Sequence, residues 1–195
     1  DSHELDVVIF PDEQLSGFSI SDCSWEDIIP PLNSFMNSGG RVIFLGENSY
    51  NYISTSSWPE TSIDYISEED SSKWFSSLQG YQYNCCGLAL LNSGCPSTEI
   101  YNNVHTYCSG SYCGDCAAFF WFPHWYDVSE DSSDDNFFSI YNSVGDAVSG
   151  QNWGEETQLV FGKNIGLGKL IIFGESRPFG EYSSTRNLLG NILHD

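Results

Sequence analysis

The chain has 195 residues, 40% of them hydrophobic and 15% aromatic, so it can bury the core of a single domain. Its 27 Asp and Glu residues outnumber six Lys and Arg residues, which gives a formal net charge of −21. This charge argues against nucleic acid as a ligand, because binding phosphate requires basic side chains. The sequence also contains no apolar run of the length that inserts into a membrane.

Three apolar segments are the clearest predicted strands, and each is followed by acidic residues. They are residues 5–10, 42–45 and 170–173. Continuous apolar runs of this length are typical of strands that are buried on both faces. A helical pattern over residues 28–36 ends at the Gly39-Gly40 pair, so the first two strands are expected to form a parallel β-α-β unit.

The acids that follow these strands form the first candidate site. Ligands bind outside the carboxyl ends of the strands in an open parallel sheet. If the three strands are neighbours, Asp12 (or Glu13), Glu47 and Glu175 converge at one edge. Glu47 and Glu175 are the candidate carboxylate pair for hydrolysis, acting directly or, with Asp12, through a bound metal.

The middle of the chain, at about residues 50–156, is predicted to be one large insertion. Within it we expect a helix that ends at Gly80, a strand at 87–91, a cysteine-rich loop at 92–116, a strand or exposed aromatic patch at 117–123, and a helix over 136–148. Trp121, Trp125 and Tyr126 are candidate stacking faces for a carbohydrate.

Six of the seven cysteines lie in the insertion: Cys85, Cys86, Cys95, Cys108, Cys113 and Cys116. Such density in a loop rich in small polar residues is typical of an exported protein that is cross-linked by disulfides. A zinc site with Cys108, Cys113 and Cys116, or reduced thiols, are the alternatives. Cys23 is the cysteine left over from pairing. The cysteines thus favour an extracellular or cell-surface location. Because the chain begins without Met, we expect it to be a mature or excised piece from which an export signal is already gone.

One acidic loop offers oxygen ligands for a hard cation: Asp127, Glu130, Asp131, Asp134 and Asp135. Calcium is the candidate cofactor, although the spacing differs from that of an EF-hand. A solvated acidic surface is the alternative reading of this loop.

Two strands near the C-terminus, at 157–161 and 170–173, flank a glycine-rich connection and predict a β-hairpin. A capped helix over 183–193 follows. The predicted fold class is therefore α/β: a three-layer sandwich with a mainly parallel central sheet, a C-terminal β-hairpin and a large disulfide-rich insertion, all within a single domain over residues 1–195.

The segments SGGRVIFLGENS (38–49), GKLIIFGESRPF (168–179) and NLLGNIL (187–193), in this order, resemble the class I glutamine amidotransferase-like superfamily. The resemblance covers residues 5–49 and 157–193 and implies a flavodoxin-like fold. Enzymes of that superfamily carry a cysteine in a Gly-x-Cys-x-Gly elbow, with His and Glu partners. This chain has Glu47 at the corresponding position and lacks the second glycine, so it resembles the non-catalytic members found in bacterial surface proteins.

The sequence therefore favours a non-enzymatic exported domain that binds protein partners or assembles with itself. A carboxylate- or metal-dependent hydrolase that uses Glu47 and Glu175 is the first alternative. A carbohydrate-binding module is the second.

Overall fold

The computed structural model of this chain describes the backbone of residues 6–10, 25–45, 60–62, 74, 79–82, 87–90, 99–101, 104, 107–109, 112–114, 117–120, 124–127, 132–142, 145–146, 151–152, 157–174 and 183–195. It describes the side chains at 6–10, 29–45, 74, 99–101, 104, 132–142, 158–174 and 185–195.

These residues form two α-helices, a short 3-10 helix and a series of mostly short strands. The helices are α1 (Trp25–Asn37), the 3-10 helix Glu99–Tyr101, and α2 (Ser183–His194). The strands are β1 (Val7–Phe10), β2 (Arg41–Leu45), β3 (Glu60–Ser62), β4 (Gln79–Gln82), β5 (Gly87–Leu90), β6 (Tyr107–Ser109), β7 (Tyr112–Gly114), β8 (Ala117–Phe120), β9 (His124–Asp127), β10 (Phe137–Asn142), β11 (Gly145–Asp146), β12 (Gln151–Asn152), β13 (Thr157–Ile165) and β14 (Gly168–Phe173).

The main sheet is mixed and mostly antiparallel, so the predicted mainly parallel three-layer sandwich is wrong. Its strand order is β1-β2-β14-β13-β9-β4-β3, with β10 also paired to β13. β1 with β2 and β2 with β14 are parallel, whereas the other pairings among the described strands of this sheet are antiparallel. The reason is that strands from the middle of the chain extend the sheet by antiparallel pairing, whereas β1, β2 and β14 pair in parallel. The described strands also form a sheet of order β12-β11-β5-β8 and a β6-β7 pair.

The junction between α1 and β2 follows from two glycines. The Gly40 amide donates to the carbonyl of Phe35 (3.0 Å) and the Gly39 amide to that of Met36 (2.9 Å). Gly39 has a φ of 109°, in the region that favours glycine. This pattern is the Schellman motif, which satisfies carbonyls at a helix C-terminus. It confirms the predicted end of the helix and directs the chain into β2.

Two prolines, Pro30 and Pro31, lie inside α1 beyond its first turn. Proline removes one helical hydrogen bond because it has no amide hydrogen. Pro30 and Pro31 are both on the exposed side of the helix. The carbonyls left without a helical partner can therefore bond to water.

The central strand β2 is buried on both faces, as its apolar run predicts. Val42 and Phe44 pack in one cluster with Leu32 and Met36 of α1. The alternate residues Ile43 and Leu45 pack in a second cluster. That cluster includes Leu188, Leu189 and Ile192 of α2. Full burial of each such side chain contributes roughly 1.5–3 kcal/mol to stability.

The hairpin of β13 and β14 is tighter than predicted. The pairing runs from Val160 with Phe173 to Ile165 with Gly168, which leaves Gly166 and Leu167 as the connection. Gly166 has a φ of 61°, so this turn uses a conformation that other residues adopt at a cost. The residues that the sequence assigned to a longer connection are instead part of the strands.

Other expectations for the middle of the chain are also corrected. Residues 137–142 form the strand β10 rather than a helix, because they pair with β13. Gly80 lies within β4 and is not a helix end. The 92–116 loop contains the 3-10 helix and the β6-β7 pair. Within the described residues, no helix is long and apolar enough to cross a membrane.

Candidate functional site

The carboxyl ends of β1, β2 and β14 lie side by side. The parallel register pairs Phe10 with Phe44 and Leu45 with Phe173. Neighbouring strands are about 4.8 Å apart, so the three ends share one edge within about 10 Å. The sequence could not show whether these three strands are neighbours, and the structure shows that they are.

The chain that leaves β14 is fixed in position just before Glu175. Gly174 is buried, and its amide donates to the carbonyl of Leu159 in β13 at 2.7 Å. On the neighbouring strand, Leu45 is 1% exposed. The ends of β2 and β14 are therefore packed in the core, and the core holds the shared edge in position.

The acids predicted to converge at this edge, Asp12, Glu47 and Glu175, lie outside the described residues, as does Glu13. The length of the chain still limits how far Glu47 and Glu175 can lie from the strand ends, because two residues span at most about 7 Å. Glu47 and Glu175 each follow by two positions a residue of the register pair Leu45 and Phe173. Their joint action stays a prediction.

In the acidic loop, Asp134 has contacts of its own. Its Oδ1 accepts a hydrogen bond from the Asn136 amide (2.9 Å), and its Oδ2 lies 3.0 Å from Lys163 Nζ. The hydrogen bond from the Asn136 amide, and next to it the Lys163 ammonium, lower the pKa of Asp134. This carboxylate therefore holds the turn before β10, and a metal ion bound there would face the Lys163 charge.

The rest of the acidic loop is only partly described. Asp135 is exposed, and Asp127 ends β9, where its backbone pairs with Gln79 and Thr157. Glu130 and Asp131 lie outside the described residues. Among the side chains that the structure describes, no three of the His, Cys, Asp and Glu type form a group that could hold a metal ion.

Two of the predicted disulfide or zinc residues are backbone partners. Cys108 in β6 lies opposite Cys113 in β7. The side chains of both lie outside the description, as do Cys23 and the remaining candidates Cys85, Cys86, Cys95 and Cys116. Their oxidation state and their partners stay predictions.

Two of the three candidate stacking residues belong to a strand of the main sheet. The backbones of Trp125 and Tyr126 are in β9, opposite Tyr81 and Gly80 of β4. Trp121 and the side chains of Trp125 and Tyr126 lie outside the described residues. The alternative of a carbohydrate surface stays a prediction.

Three of the six basic residues are engaged by the fold itself. Arg41 donates to the carbonyls of Ile192 (3.0 Å) and Leu193 (3.4 Å) at the end of α2. Lys163 pairs with Asp134, and Lys169 Nζ lies 3.0 Å from Asp195 Oδ2. These contacts neutralise only two of the 27 acids, so most of the negative charge lacks a counterpart among these three cations.

The sequence reasoning missed a cavity of about 310 Å³ that is bounded by β10, β14 and the end of α2. Ile140 and Ile171 form part of its wall. Phe138 and Ile140 alternate as in a strand, but Phe137, Ile140 and Tyr141 lie at helical spacing in the same segment. Assigning residues 136–148 to a helix hid the cavity.

Comparisons with known proteins give no family for this chain. No protein-family model matches it, and no curated protein or solved structure matches it significantly.

Proposed function

We propose that this chain is a non-enzymatic, exported binding or structural domain whose acidic surface binds divalent cations or the basic surface of a protein partner. The observation that supports it most is the excess of 27 acids over six basic residues, which leaves a net charge of −21; the described ion pairs of Lys163 and Lys169 engage only two of the 27 acids. Uncompensated acids repel one another, and bound cations or a basic partner relieve that repulsion. The cysteine-rich middle of the chain supports an extracellular location.

The shared edge of β1, β2 and β14 is the part of this surface where we expect the strongest binding. The parallel strands β1, β2 and β14 bring the chain segments that carry Asp12, Glu47 and Glu175 to one edge, and calcium binds several carboxylate oxygens at once. Self-association through such cations is the form of assembly that this proposal favours. The resemblance to the amidotransferase-like superfamily remains a prediction beside it.

The test is a titration of the non-reduced protein with calcium and magnesium, followed by thermal melting and light scattering. Specific sites should raise the midpoint of unfolding at millimolar calcium, and sodium chloride of equal ionic strength should not. Glu47→Gln and Glu175→Gln should reduce the shift, whereas Glu99→Gln, at an exposed position outside both candidate cation sites, is the matched control. A midpoint and a scattering signal that do not respond to either ion would contradict the cation proposal.

A second candidate function, hydrolysis by Glu47 and Glu175, is favoured by one observation. β2 and β14 are neighbours in parallel register, and both glutamates follow them at the same offset. A general acid or base contributes roughly 10²–10⁴-fold to a rate, so Glu47→Gln or Glu175→Gln should abolish most hydrolysis of a panel of nitrophenyl glycosides. Equal rates for wild type and variants, or no hydrolysis by wild type, would reject it.

A further inference from the structure

The cavity beside α2 combines an apolar wall with one charged rim. Phe138 and Ile140 of β10, Ile171 of β14 and Ile192 of α2 supply the wall. Ile140, Ile171 and Ile192 are each at most 6% exposed, so they are part of the core as well as of the cavity. A volume of about 310 Å³ is at the lower end for ligand pockets, which selects for a small molecule.

The rim carries both signs of charge. Lys169 Nζ and Asp195 Oδ2 are 3.0 Å apart, and the two side chains are 38% and 45% exposed. Both residues also line the cavity. An ion pair this exposed contributes little to stability, so a ligand can separate its partners at small cost.

Polar contacts fix the elements that form the cavity. The Tyr101 hydroxyl donates to the carbonyl of Ile140, and Asn191 Nδ2 donates to that of Ile100 (2.7 Å), which ties the 3-10 helix to β10 and α2. Burial raises the pKa of Tyr101, which keeps this hydroxyl protonated as a donor. Arg41 holds the last turn of α2 against β2. A cavity with a fixed shape loses less entropy when it binds a ligand.

From this arrangement we propose that the cavity binds a small zwitterion with an apolar side chain, of which a branched-chain α-amino acid is the simplest example. The side chain would lie against Ile140 and Ile171, the carboxylate would face Lys169, and the ammonium would face Asp195. A simple anion would place its negative charge beside the carboxylate of Asp195. It would also be repelled by the net charge of −21 on the chain. A simple cation would place its positive charge beside the ammonium of Lys169.

This site is separate from the acidic edge. Lys169 is near the start of β14, whereas the edge follows Phe173 at its end, about 13 Å along the strand. Failure of cation binding at the edge would therefore leave this inference intact, and the reverse also holds.

The first test needs only the wild-type protein and isothermal titration calorimetry. L-leucine should bind, and glycine should bind at least about tenfold more weakly because it buries no apolar side chain. Isoamylamine and 4-methylpentanoate, which each lack one charge, should also bind about tenfold more weakly. Absence of leucine binding, or equal affinity for leucine and either analogue, would overturn the proposal.

The second test assigns the charges. Lys169→Gln should weaken leucine binding about tenfold without weakening isoamylamine binding, because isoamylamine has no carboxylate for Lys169 to face. Asp195→Asn should likewise weaken leucine binding without weakening the binding of 4-methylpentanoate. Arg186→Gln and Asp135→Asn remove one exposed charge of each sign outside the cavity and should bind leucine as wild type does. Thermal melting confirms that each variant is folded. Unchanged leucine affinity in folded Lys169→Gln and Asp195→Asn would overturn the assignment.

Discussion

Asp134 and Lys163 join the turn before β10 to the middle of β13 through an ion pair of 3.0 Å between Oδ2 and Nζ. The lysine side chain is only 9% exposed, whereas that of the aspartate is 36% exposed. Asn164 adds to the same junction, since its amide donates to the carbonyl of Asn136 at 2.9 Å. The acidic loop is therefore anchored to the sheet at this end by one of its own carboxylates.

Asp134→Asn should destabilise the fold by about 1–2 kcal/mol, because the largely buried ammonium of Lys163 loses its ion pair with this carboxylate. The exposure of Asp134 keeps the cost below that of a fully buried pair. Urea unfolding at neutral pH measures it. The double variant Asp134→Asn/Lys163→Met also removes the buried ammonium, so part of the loss should return. Additive effects of the two substitutions would show that the pair is not coupled.

The same pair predicts a dependence of stability on pH. The Asn136 amide and Lys163 lower the pKa of Asp134 in the folded state. A carboxylate whose pKa is lowered by folding stabilises the protein at pH values above its unfolded-state pKa of about 3.9. This contribution is lost as the pH falls through the folded-state pKa. The difference in unfolding free energy between wild type and Asp134→Asn should thus be constant from pH 7 to 5 and shrink below about pH 4.

Asp135→Asn is the control for this titration, since it removes a neighbouring exposed carboxylate. It should leave the free energy of unfolding at neutral pH close to that of wild type. A difference between wild type and Asp134→Asn that persists undiminished at pH 2 would contradict a role for the carboxylate charge.

The elements that the sequence predicts correctly are those whose signal is local. β2 is a continuous apolar run, and α1 ends at a glycine pair whose geometry the Schellman motif requires. The parallel pairing of β2 with β1 follows from the connection between them, which is long enough to contain α1. That β14 neighbours β2 rather than β1 depends on tertiary contacts, so the shared edge of the candidate site was a conditional prediction.

The error at β10 also has a physical cause. Its register with β13 shifts between Ser139 and Tyr141, so Ile140 and Tyr141 are both buried although they are consecutive. A bulge of this kind breaks the alternation of a strand and leaves Phe137, Ile140 and Tyr141 at helical spacing. The mostly antiparallel sheet was missed because β4, β9 and β10 come from segments with such weak or misleading periodicity.

Arg41 provides a test of how α2 is attached to the sheet. Its guanidinium donates to two carbonyls of the last turn, where a helix has unpaired acceptors and the negative end of its dipole. Arg41→Met should therefore cost about 1–2 kcal/mol in urea unfolding. Amides in the last turn of α2 should also exchange faster with deuterium.

Arg41→Lys should have an intermediate effect, because lysine keeps the charge but lacks the planar donor group of arginine. Arg186→Met, at an exposed position in the first part of α2, should change stability by less than about 0.5 kcal/mol. Equal losses for Arg41→Met and Arg186→Met would indicate a general charge effect rather than a helix cap.

Two glycines should respond to alanine with opposite signs. A Cβ at Gly166 would lie 2.6 Å from the Cα of Asn37, and the residue has a φ of 61°. Both the contact and the backbone conformation disfavour alanine, so Gly166→Ala should destabilise by about 1–3 kcal/mol. At Gly190, inside α2, a Cβ would meet nothing within 4 Å. Gly190→Ala should stabilise by about 0.5–1 kcal/mol because alanine is the better helix former.

Urea unfolding of Gly166→Ala and Gly190→Ala under the same conditions measures both effects. Each variant is the control for the other, because both replace a glycine by alanine. A stabilised Gly166→Ala would mean that the turn between β13 and β14 is not the tight one described here. A destabilised Gly190→Ala would mean that α2 is covered at this position by another part of the chain. In that case the covering segment, rather than the helix alone, would set the stability of α2 and of the cavity beside its end.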